Sequence, residues 1–285
     1  MSDHFSLTAD QDPSFVFDYR ALDGPDYDLD DDQRLSTYWD VEPLCRGPQP
    51  PPDWLVTDRA AVDTDLGLLK TGKEAEDSVL ERAVPGGPSC LLAAKRYRAA
   101  EHRNFHRSVT YTEGRRVRNT RDTRAMARGT AHGRSVAAGQ WAAAEWAALK
   151  RLYDAGVPVP YPVQVDGTEI LMELVTADGE PAPRLAQTRP GQALLASYFE
   201  QLVAAMEVLA RLGLAHGDLS AYNVMAAGDR LVLIDLPQVL DVAANPAGGD
   251  FLLRDCHNVC RWFTSRGLEV DEQDLYADLL VAVFG

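Results

Sequence analysis

Three polar side chains in the last third of the chain have the types and spacing that metal-assisted phosphoryl transfer requires. Asp218 stands in segment 216–223, HGDLSAYN, which Asn223 closes five residues later. Asp235 comes twelve residues after Asn223, directly behind the apolar run 231–234. An aspartate can orient or deprotonate an attacking hydroxyl, and asparagine and aspartate oxygens are suitable ligands for Mg²⁺. The set predicts reaction at a phosphate, with Asp218 catalytic and Asn223 and Asp235 binding Mg²⁺, or Mn²⁺ in its place.

A glycine-rich segment earlier in the chain is suited to binding the phosphates of ATP. Residues 67–73, GLLKTGK, match the spacing of a Walker A loop, but Glu74 stands where that loop needs Ser or Thr for magnesium. The segment also leads into a strand-like sequence, not into a helix whose N-terminus could receive phosphate. We therefore reject the Walker interpretation. A turn between two strands makes Thr71, Gly72 and Lys73 candidate phosphate contacts.

A lysine and a glutamate are predicted to complete the phosphate site. Lys95 ends the apolar run 91–94. Kinase strands of the Val-Ala-Ile-Lys type end in a lysine that contacts the α- and β-phosphates and pairs with a helix glutamate. Glu145 is the expected partner, because it lies on the helix-like stretch of this half of the chain.

The apolar run 170–175, ILMELV, fits a strand that enters the hinge of a kinase. In such hinges the adenine edge is bonded by backbone groups. Glu173 and Val175 are therefore predicted to bind ATP through their main chain.

The elements that must position these residues predict an α+β fold of two lobes. A strand-rich half with one helix, at 135–152, precedes a helix-rich half, and the two join near 175–185. The helix-rich half is predicted to contain helices at 191–212, 250–265 and 271–284. Clefts between lobes are common nucleotide sites, so ATP is expected there.

The predicted domain layout has three parts with different charge. Residues 1–53 form an acidic, poorly ordered extension, 54–175 the N-lobe with an Arg-rich mobile loop at about 103–134, and 176–285 the C-lobe. Residues 1–65 carry 16 acidic and 4 basic side chains, whereas 95–134 carry 12 basic and 3 acidic ones, so the net charge of −15 is unevenly spread. The basic loop could contact RNA, a ribosomal particle or an acidic partner, or be covered by the acidic head.

The composition is that of an ordinary globular protein, with 46% hydrophobic and 25% charged residues. No signal-peptide pattern and no membrane-spanning run are apparent, which predicts a cytoplasmic protein with reduced thiols and without membrane contact. Cys256 and Cys260 are four residues apart, and we interpret them as buried thiols, since two ligands do not make a zinc site.

Several motifs, in order, resemble the RIO family of atypical serine/threonine protein kinases. Residues 71–75, TGKEA, resemble the family's phosphate loop STGKEA, and 216–223, HGDLSAYN, resemble its HADLSEYN. Residues 234–238, IDLPQ, resemble IDVSQ, which stands where ordinary kinases carry Asp-Phe-Gly. Residues 181–183 and 251–259 also match, so the resemblance covers about residues 65–265.

The resemblance implies a reduced protein-kinase fold, without the activation segment and peptide-binding helices of ordinary kinases and without a winged-helix domain. It implies that Asp218 is the catalytic aspartate and that Asn223 and Asp235 hold the metal. It also implies that Asp235 could be phosphorylated transiently in an ATPase cycle. Gly217 and Ala221 depart from the family motif, which puts the substrate-facing surface in doubt.

Two alternative functions stay open at this point. A small-molecule kinase of the aminoglycoside or choline kinase type also begins this loop with His-Gly-Asp, but its large substrate subdomain has little room after Asp235. A nucleotide-binding scaffold that docks on RNA through the basic loop is the other alternative. The set of Lys95, Asp218, Asn223 and Asp235 argues against an inactive protein.

Overall fold

The computed structural model describes residues 29–72, 74–98 and 131–285. The N-lobe is built on a six-stranded antiparallel sheet in the order β1-β2-β3-β4-β6-β5. Its strands are β1 (Gln33–Leu35), β2 (Val62–Thr71), β3 (Ala75–Ala83), β4 (Ser89–Tyr97), β5 (Pro162–Asp166) and β6 (Glu169–Glu173). The meander β2-β3-β4 is the predicted one, and the turn at 85–88 joins its last two strands, because Pro and Gly there favour a tight reversal.

One helix crosses behind the sheet and carries a site residue. Helix α1 (Ala131–Asp154) packs on β5 and β4, and it is longer at both ends than the predicted 135–152. Ala138, Ala142, Glu145 and Leu149 are all buried, and their spacing places them on one helix face. The chain leaves the helix at Gly156, whose φ of 78° is a left-handed conformation that favours glycine. The sequence thus directs Glu145 towards the sheet.

The predicted N-terminal extension is wrong for residues 29–53, which belong to the N-lobe; residues 1–28 lie outside the described residues. Strand β1 pairs with β2, and Tyr38 is 1% exposed. The Arg82 side chain, fully buried, bonds both carboxylate oxygens of Asp63 at 2.6 and 2.9 Å and the amide oxygen of Gln164 at 3.0 Å. This buried group lies under Tyr38, whose ring faces the guanidinium. Because Tyr38 covers this buried ion pair, the segment that carries Tyr38 is part of the fold.

The C-lobe follows a short hairpin between the lobes, β7 (Thr176–Ala177) with β8 (Glu180–Pro181). It contains helix α2 (Gln192–Arg211), strands β9 (Leu214–Ala215), β10 (Val224–Ala227), β11 (Arg230–Leu233) and β12 (Leu240–Asp241), and helices α3 (Gly248–Thr264) and α4 (Glu272–Phe284). Strands β10 and β11 form a hairpin, and β9 pairs with β12. The three predicted helices are present within two residues at each end. The α+β, two-lobed fold class is therefore confirmed.

Helix α2 is long and apolar enough to cross a membrane by length and composition, which the sequence analysis did not anticipate. Its Leu195, Tyr198, Leu202, Met206 and Leu209 are buried in the main hydrophobic core, at the spacing of one helix face. In this fold α2 therefore serves as the core helix of the C-lobe.

The four cysteines are free, and Cys256 and Cys260 are buried in α3 as predicted. Burial raises the pKa of Cys256 to about 12 and that of Cys260 to about 11. A thiol becomes a nucleophile or metal ligand as its thiolate, so these two side chains act as packing groups at neutral pH.

Candidate active site

A cleft of about 640 Å³ lies between the lobes. Its upper wall comes from β2, β3 and β4, its back from α1, and its floor from the segment that follows β11. The predicted site residues that line it are Gly72, Lys95, Glu145, Glu173, Val175 and Asp235. Thr71, Asp218 and Asn223 do not line this cleft, and Lys73 lies outside the described residues.

Lys95, Glu145 and Asp235 meet in the cleft. The Nζ of Lys95 lies 2.7 Å from Oε1 of Glu145 and 2.9 Å from Oδ1 of Asp235. Glu145 is 3% exposed, and it also accepts hydrogen bonds from the Tyr97 hydroxyl and, at 3.2 Å, from the Leu236 backbone N–H. The predicted Lys95–Glu145 pair is therefore confirmed, and one glutamate ties helix α1 to both lobes.

The electrostatics of this group keep its charges in place. Burial disfavours the Lys95 cation, but Glu145 and Asp235 outweigh it and raise the pKa of Lys95 well above its usual value. Burial likewise disfavours the Asp235 carboxylate, yet Lys95 lowers the pKa of that carboxyl overall. Burial and Glu145 raise the pKa of Tyr97, so its hydroxyl stays a donor. Lys95 and Asp235 are therefore both charged at neutral pH, as binding to phosphates and metal requires.

Asp218 lies on a loop that α3 holds from below. The buried Asp255 carboxylate accepts the backbone N–H groups of Gly217 and Leu219, each at 2.8 Å. Gly217 has φ of 83°, and a Cβ there would lie 2.5 Å from the carbonyl oxygen of Gln238. The loop can therefore run this close to the Gln238 backbone because residue 217 has no side chain.

Asn223 connects the Asp218 loop to the strand that ends at Asp235. Its Nδ2 donates to the Asp218 backbone carbonyl at 2.8 Å and lies 3.4 Å from the Asp218 carboxylate, while its own carbonyl accepts the Ile234 N–H at 3.0 Å. Nδ2 thus faces Asp218, so the Oδ1 of Asn223 is not the atom that contacts the Asp218 side chain. Asp235 has φ of 65°, a left-handed conformation that Asp adopts more readily than most residues. The chain turns sharply there, which directs Asp235 to Lys95.

The glycine-rich turn differs in detail from what the sequence suggested. The Gly72 N–H donates to the Ala75 carbonyl at 2.8 Å, so it is engaged within the turn and not presented to a phosphate. The strand that follows, β3, starts at Ala75, in agreement with the rejection of a Walker A loop. Lys70 lines the cleft instead, although its position in the sequence did not single it out.

Asp77 is a second cleft residue that the sequence analysis missed. It pairs in register with Lys70 on β2 and with Lys95 on β4, so the three residues form one row across the sheet. Burial raises the pKa of Asp77, and Lys95 opposes this. A strand-by-strand alignment of alternating side chains would have placed it opposite Lys95. That alignment requires the register of β3 on β4, which runs without a bulge but depends on the conformation of the turn that joins the two strands.

The hinge residues are placed at the inner end of the cleft. The Glu173 N–H donates to the Tyr161 carbonyl at 2.9 Å, and the Val175 carbonyl accepts the Ala182 N–H at 2.9 Å. The Glu173 carboxylate accepts from the Tyr161 N–H at 3.0 Å, so this side chain has a structural contact. The Glu173 N–H and the Val175 carbonyl therefore already have protein partners.

The donor set near Asp235 fits a nucleotide-bound divalent cation. In the described part of the chain, no three His, Cys, Asp or Glu side chains are grouped to enclose a metal ion by themselves. Mg²⁺ in phosphotransferases commonly takes one or two protein carboxylate or amide oxygens and completes its shell with phosphates and water. Asn223 and Asp235 supply that number of oxygens.

The two-lobed fold and the Lys95–Glu145 pair over Asp235 define a protein-kinase-like phosphotransferase. A family model for the RIO domain matches residues 92–275. The chain belongs to the RIO family of serine/threonine protein kinases, and kinases of this family use ATP and a divalent metal. The sequence resemblance is thereby confirmed.

Curated relatives carry the same family name. The chain is 37% identical over 215 residues to the RIO-type serine/threonine-protein kinase Rio1 of Haloferax volcanii, covering 75% of this chain and 68% of that one. It is 29% identical over 212 residues to Rio1 of Methanocaldococcus jannaschii, covering 74% and 67%. The serine/threonine-protein kinase RIO1 of Saccharomyces cerevisiae matches at 33% over 134 residues, which span 46% of this chain and 28% of the yeast protein. These names support a protein kinase over a small-molecule kinase.

Replacing Lys95 with Met is expected to raise the KM for ATP about 10- to 100-fold, since a charge-assisted bond to phosphate contributes about 2 kcal/mol. It should also lower the free energy of unfolding by about 3 kcal/mol, because Glu145 is left with an unpaired buried charge. ATP titration of turnover and urea unfolding measure the two effects.

The double variant Lys95→Met/Glu145→Gln separates them. Removing both charges should restore most of the lost stability, whereas the KM for ATP should stay high. Recovery of ATP affinity in the double variant would show that Lys95 does not contact the nucleotide.

Proposed function

We propose that this chain is an ATP- and Mg²⁺-dependent kinase that transfers a phosphoryl group to serine or threonine of a protein substrate. Mn²⁺ is an alternative metal. The observation that carries the proposal is the position of Lys95, whose Nζ is within hydrogen-bonding distance of both Glu145 and Asp235 in the cleft. Phosphoryl transfer depends mainly on positioning and charge neutralisation, and this arrangement supplies a fixed cation beside a metal-binding carboxylate.

In the proposed reaction, Lys95 binds the α- and β-phosphates. Thr71 does not line the cleft and Lys73 lies outside the described residues, so phosphate binding by these two stays a prediction from the sequence. Asn223 and Asp235 hold the metal, which when bound neutralises phosphate charge. Asp218 accepts the proton of the attacking hydroxyl, whose oxygen forms the new bond to phosphorus while the bond to the ADP oxygen breaks. The exposed position of Asp218, whose side chain is 49% accessible, leaves it reachable for a protein substrate.

The proposed adenine contacts come from the hinge backbone. Since the Glu173 N–H and the Val175 carbonyl are already bonded, the Glu173 carbonyl accepts from the adenine amino group and the Val175 N–H donates to a ring nitrogen. The hinge thus presents one backbone acceptor and one backbone donor side by side. This pair matches the amino group and the ring nitrogen of adenine without any side-chain contact.

An ATPase cycle through Asp235 is a variant of the same proposal. In it, an Asp235 carboxylate oxygen attacks the γ-phosphorus, ADP leaves, and water then hydrolyses the acyl phosphate to aspartate and inorganic phosphate. The short distance between Asp235 and Lys95 supports this variant, because a cation at 2.9 Å can neutralise a transferring phosphoryl group.

Incubation with Mg²⁺ and ATP labelled at the γ-phosphate, followed by intact-mass and peptide analysis, tests the function. Label on serine or threonine of an added protein such as casein, or of the chain itself, supports kinase activity. Hydroxylamine-sensitive label on Asp235 supports the ATPase cycle. ADP release that depends on an added aminoglycoside, choline or sugar would instead support the small-molecule kinase.

The remaining partner predictions stay proposals. The Arg-rich segment at about 103–134 is proposed to contact RNA or a ribosomal particle. Its residues 103–130 lie outside the described residues. A cytoplasmic location without membrane contact is likewise proposed from the sequence alone. The proposed protein substrate is any protein that presents a serine or threonine hydroxyl to Asp218.

A further inference from the structure

Arg254 on α3 lies beside Asp218, and several of its contacts involve the loop that carries this aspartate. Its guanidinium donates to the Gly217 carbonyl, and Nη2 lies 3.8 Å from Oδ1 of Asp218. The Phe251 ring, one turn earlier on the helix, lies 5.0 Å from the guanidinium. A planar cation held by a carbonyl and a ring has little freedom left, so its position next to the carboxylate is built into the fold.

Neighbouring residues of α3 bind the loop through its backbone only. Asp255 accepts the N–H groups of Gly217 and Leu219, and Asn258 donates to the Leu219 carbonyl at 3.0 Å. Arg254 completes this set by taking the Gly217 carbonyl, and it also reaches the Asp218 side chain itself. Arg254 can therefore affect the Asp218 carboxylate directly, whereas the hydrogen bonds of Asp255 and Asn258 reach only the backbone of the loop.

The Asp218 carboxylate lies between two donors. Oδ1 faces Arg254 at 3.8 Å, and Oδ2 faces Nδ2 of Asn223 at 3.4 Å. The side chain is about half exposed, so without these neighbours it could rotate among staggered conformations. A proton acceptor must stand within hydrogen-bond reach of the hydroxyl it serves, and one rotamer of Asp218 meets that condition better than the others.

We propose that Arg254 is a positioning residue for phosphoryl transfer, which holds Oδ1 of Asp218 so that the carboxylate presents a free lone pair to the acceptor hydroxyl. The inference rests on the proposed kinase function. Arg254 and Asp218 are 44% and 49% exposed, and exposed ion pairs add little to stability. Loss of Arg254 should therefore leave folding nearly intact. It should reduce turnover, because Asp218 loses the cation that holds Oδ1 in place. Arg254 does not line the nucleotide cleft, so the KM for ATP should be little changed.

The test compares the full-length wild type with Arg254→Met, Arg254→Lys, Arg254→Ala and the control Arg261→Met. Arg261 is exposed two turns further along the same helix. We expect Arg254→Met to lower kcat about 10- to 100-fold, as small misplacements of a catalytic group do, with the KM for ATP and the melting temperature nearly unchanged. Arg254→Lys should recover part of kcat. Millimolar guanidinium should raise kcat of Arg254→Ala, and equal sodium chloride should not.

Wild-type kcat in Arg254→Met would overturn the inference. So would a loss of kcat that follows a fall in melting temperature and is restored neither by lysine nor by guanidinium, since that pattern belongs to a structural residue. A fall in kcat of the same size in Arg261→Met would show a general charge effect and also overturn it. If the wild type itself shows no ATP turnover, the proposed function fails first, and this result is distinct from the others.

Discussion

Asp218→Asn is expected to lower kcat for phosphotransfer by about 10³-fold, within the range of about 10² to 10⁴ that a positioned general base contributes. The amide has the size of the carboxylate, but it can neither take the hydroxyl proton nor carry the negative charge that orients the acceptor. Asp218 does not line the cleft, so the Kd for ATP should change less than about threefold, which corresponds to less than one kcal/mol. Single-turnover transfer and equilibrium ATP binding measure the two quantities.

Asp229→Asn is the matched control. Asp229 is exposed in the turn between β10 and β11, so its substitution makes the same chemical change away from the site. It should leave both kcat and Kd at the wild-type values. Turnover by Asp218→Asn at the wild-type rate would contradict the role of Asp218 as the catalytic aspartate.

The sequence predicted the part of the site in which chemistry and spacing are local. Asp218 and Asn223 lie on one loop, where the Asn223 amide bonds the Asp218 carbonyl. Asp235 follows the buried strand β11, and its distance from the loop is fixed by the β10–β11 hairpin. The fold class was predictable for a similar reason. The hydrophobic residues change from an alternating spacing, typical of strands, to a helical spacing along the chain.

Residues brought together by packing were not predictable in this way. Arg254 reaches Asp218 across 36 residues because α3 packs beneath the loop, and Asp77 faces Lys95 because of the register of β3 on β4, which the connecting turn sets. The covering segment at 29–53 was misjudged from its acidic and Pro-rich composition. Its place depends on Tyr38 packing over the buried Arg82, a contact that composition cannot show.

Asp235→Asn is expected to lower kcat about 10³-fold and to raise the Mg²⁺ concentration needed for half-maximal activity. The metal stabilises the transition state by several kcal/mol, and about 4 kcal/mol corresponds to that factor. Asparagine tolerates the left-handed φ of 65° and keeps an amide oxygen, so the backbone turn should survive while the ligand loses its charge. Lys95 keeps Glu145 as a partner at 2.7 Å, which should preserve the fold of the cleft.

The same variant separates the two forms of the proposed reaction. If wild type carries a hydroxylamine-sensitive phosphate on Asp235, Asp235→Asn removes it, because the amide cannot form the acyl phosphate. If Asp235 acts as a metal ligand alone, wild type lacks that label, and the residual transfer to protein by Asp235→Asn increases with added Mg²⁺ or Mn²⁺. Wild-type kcat with an unchanged Mg²⁺ requirement would exclude both roles, because either requires the charge of Asp235 beside Lys95 at the floor of the cleft.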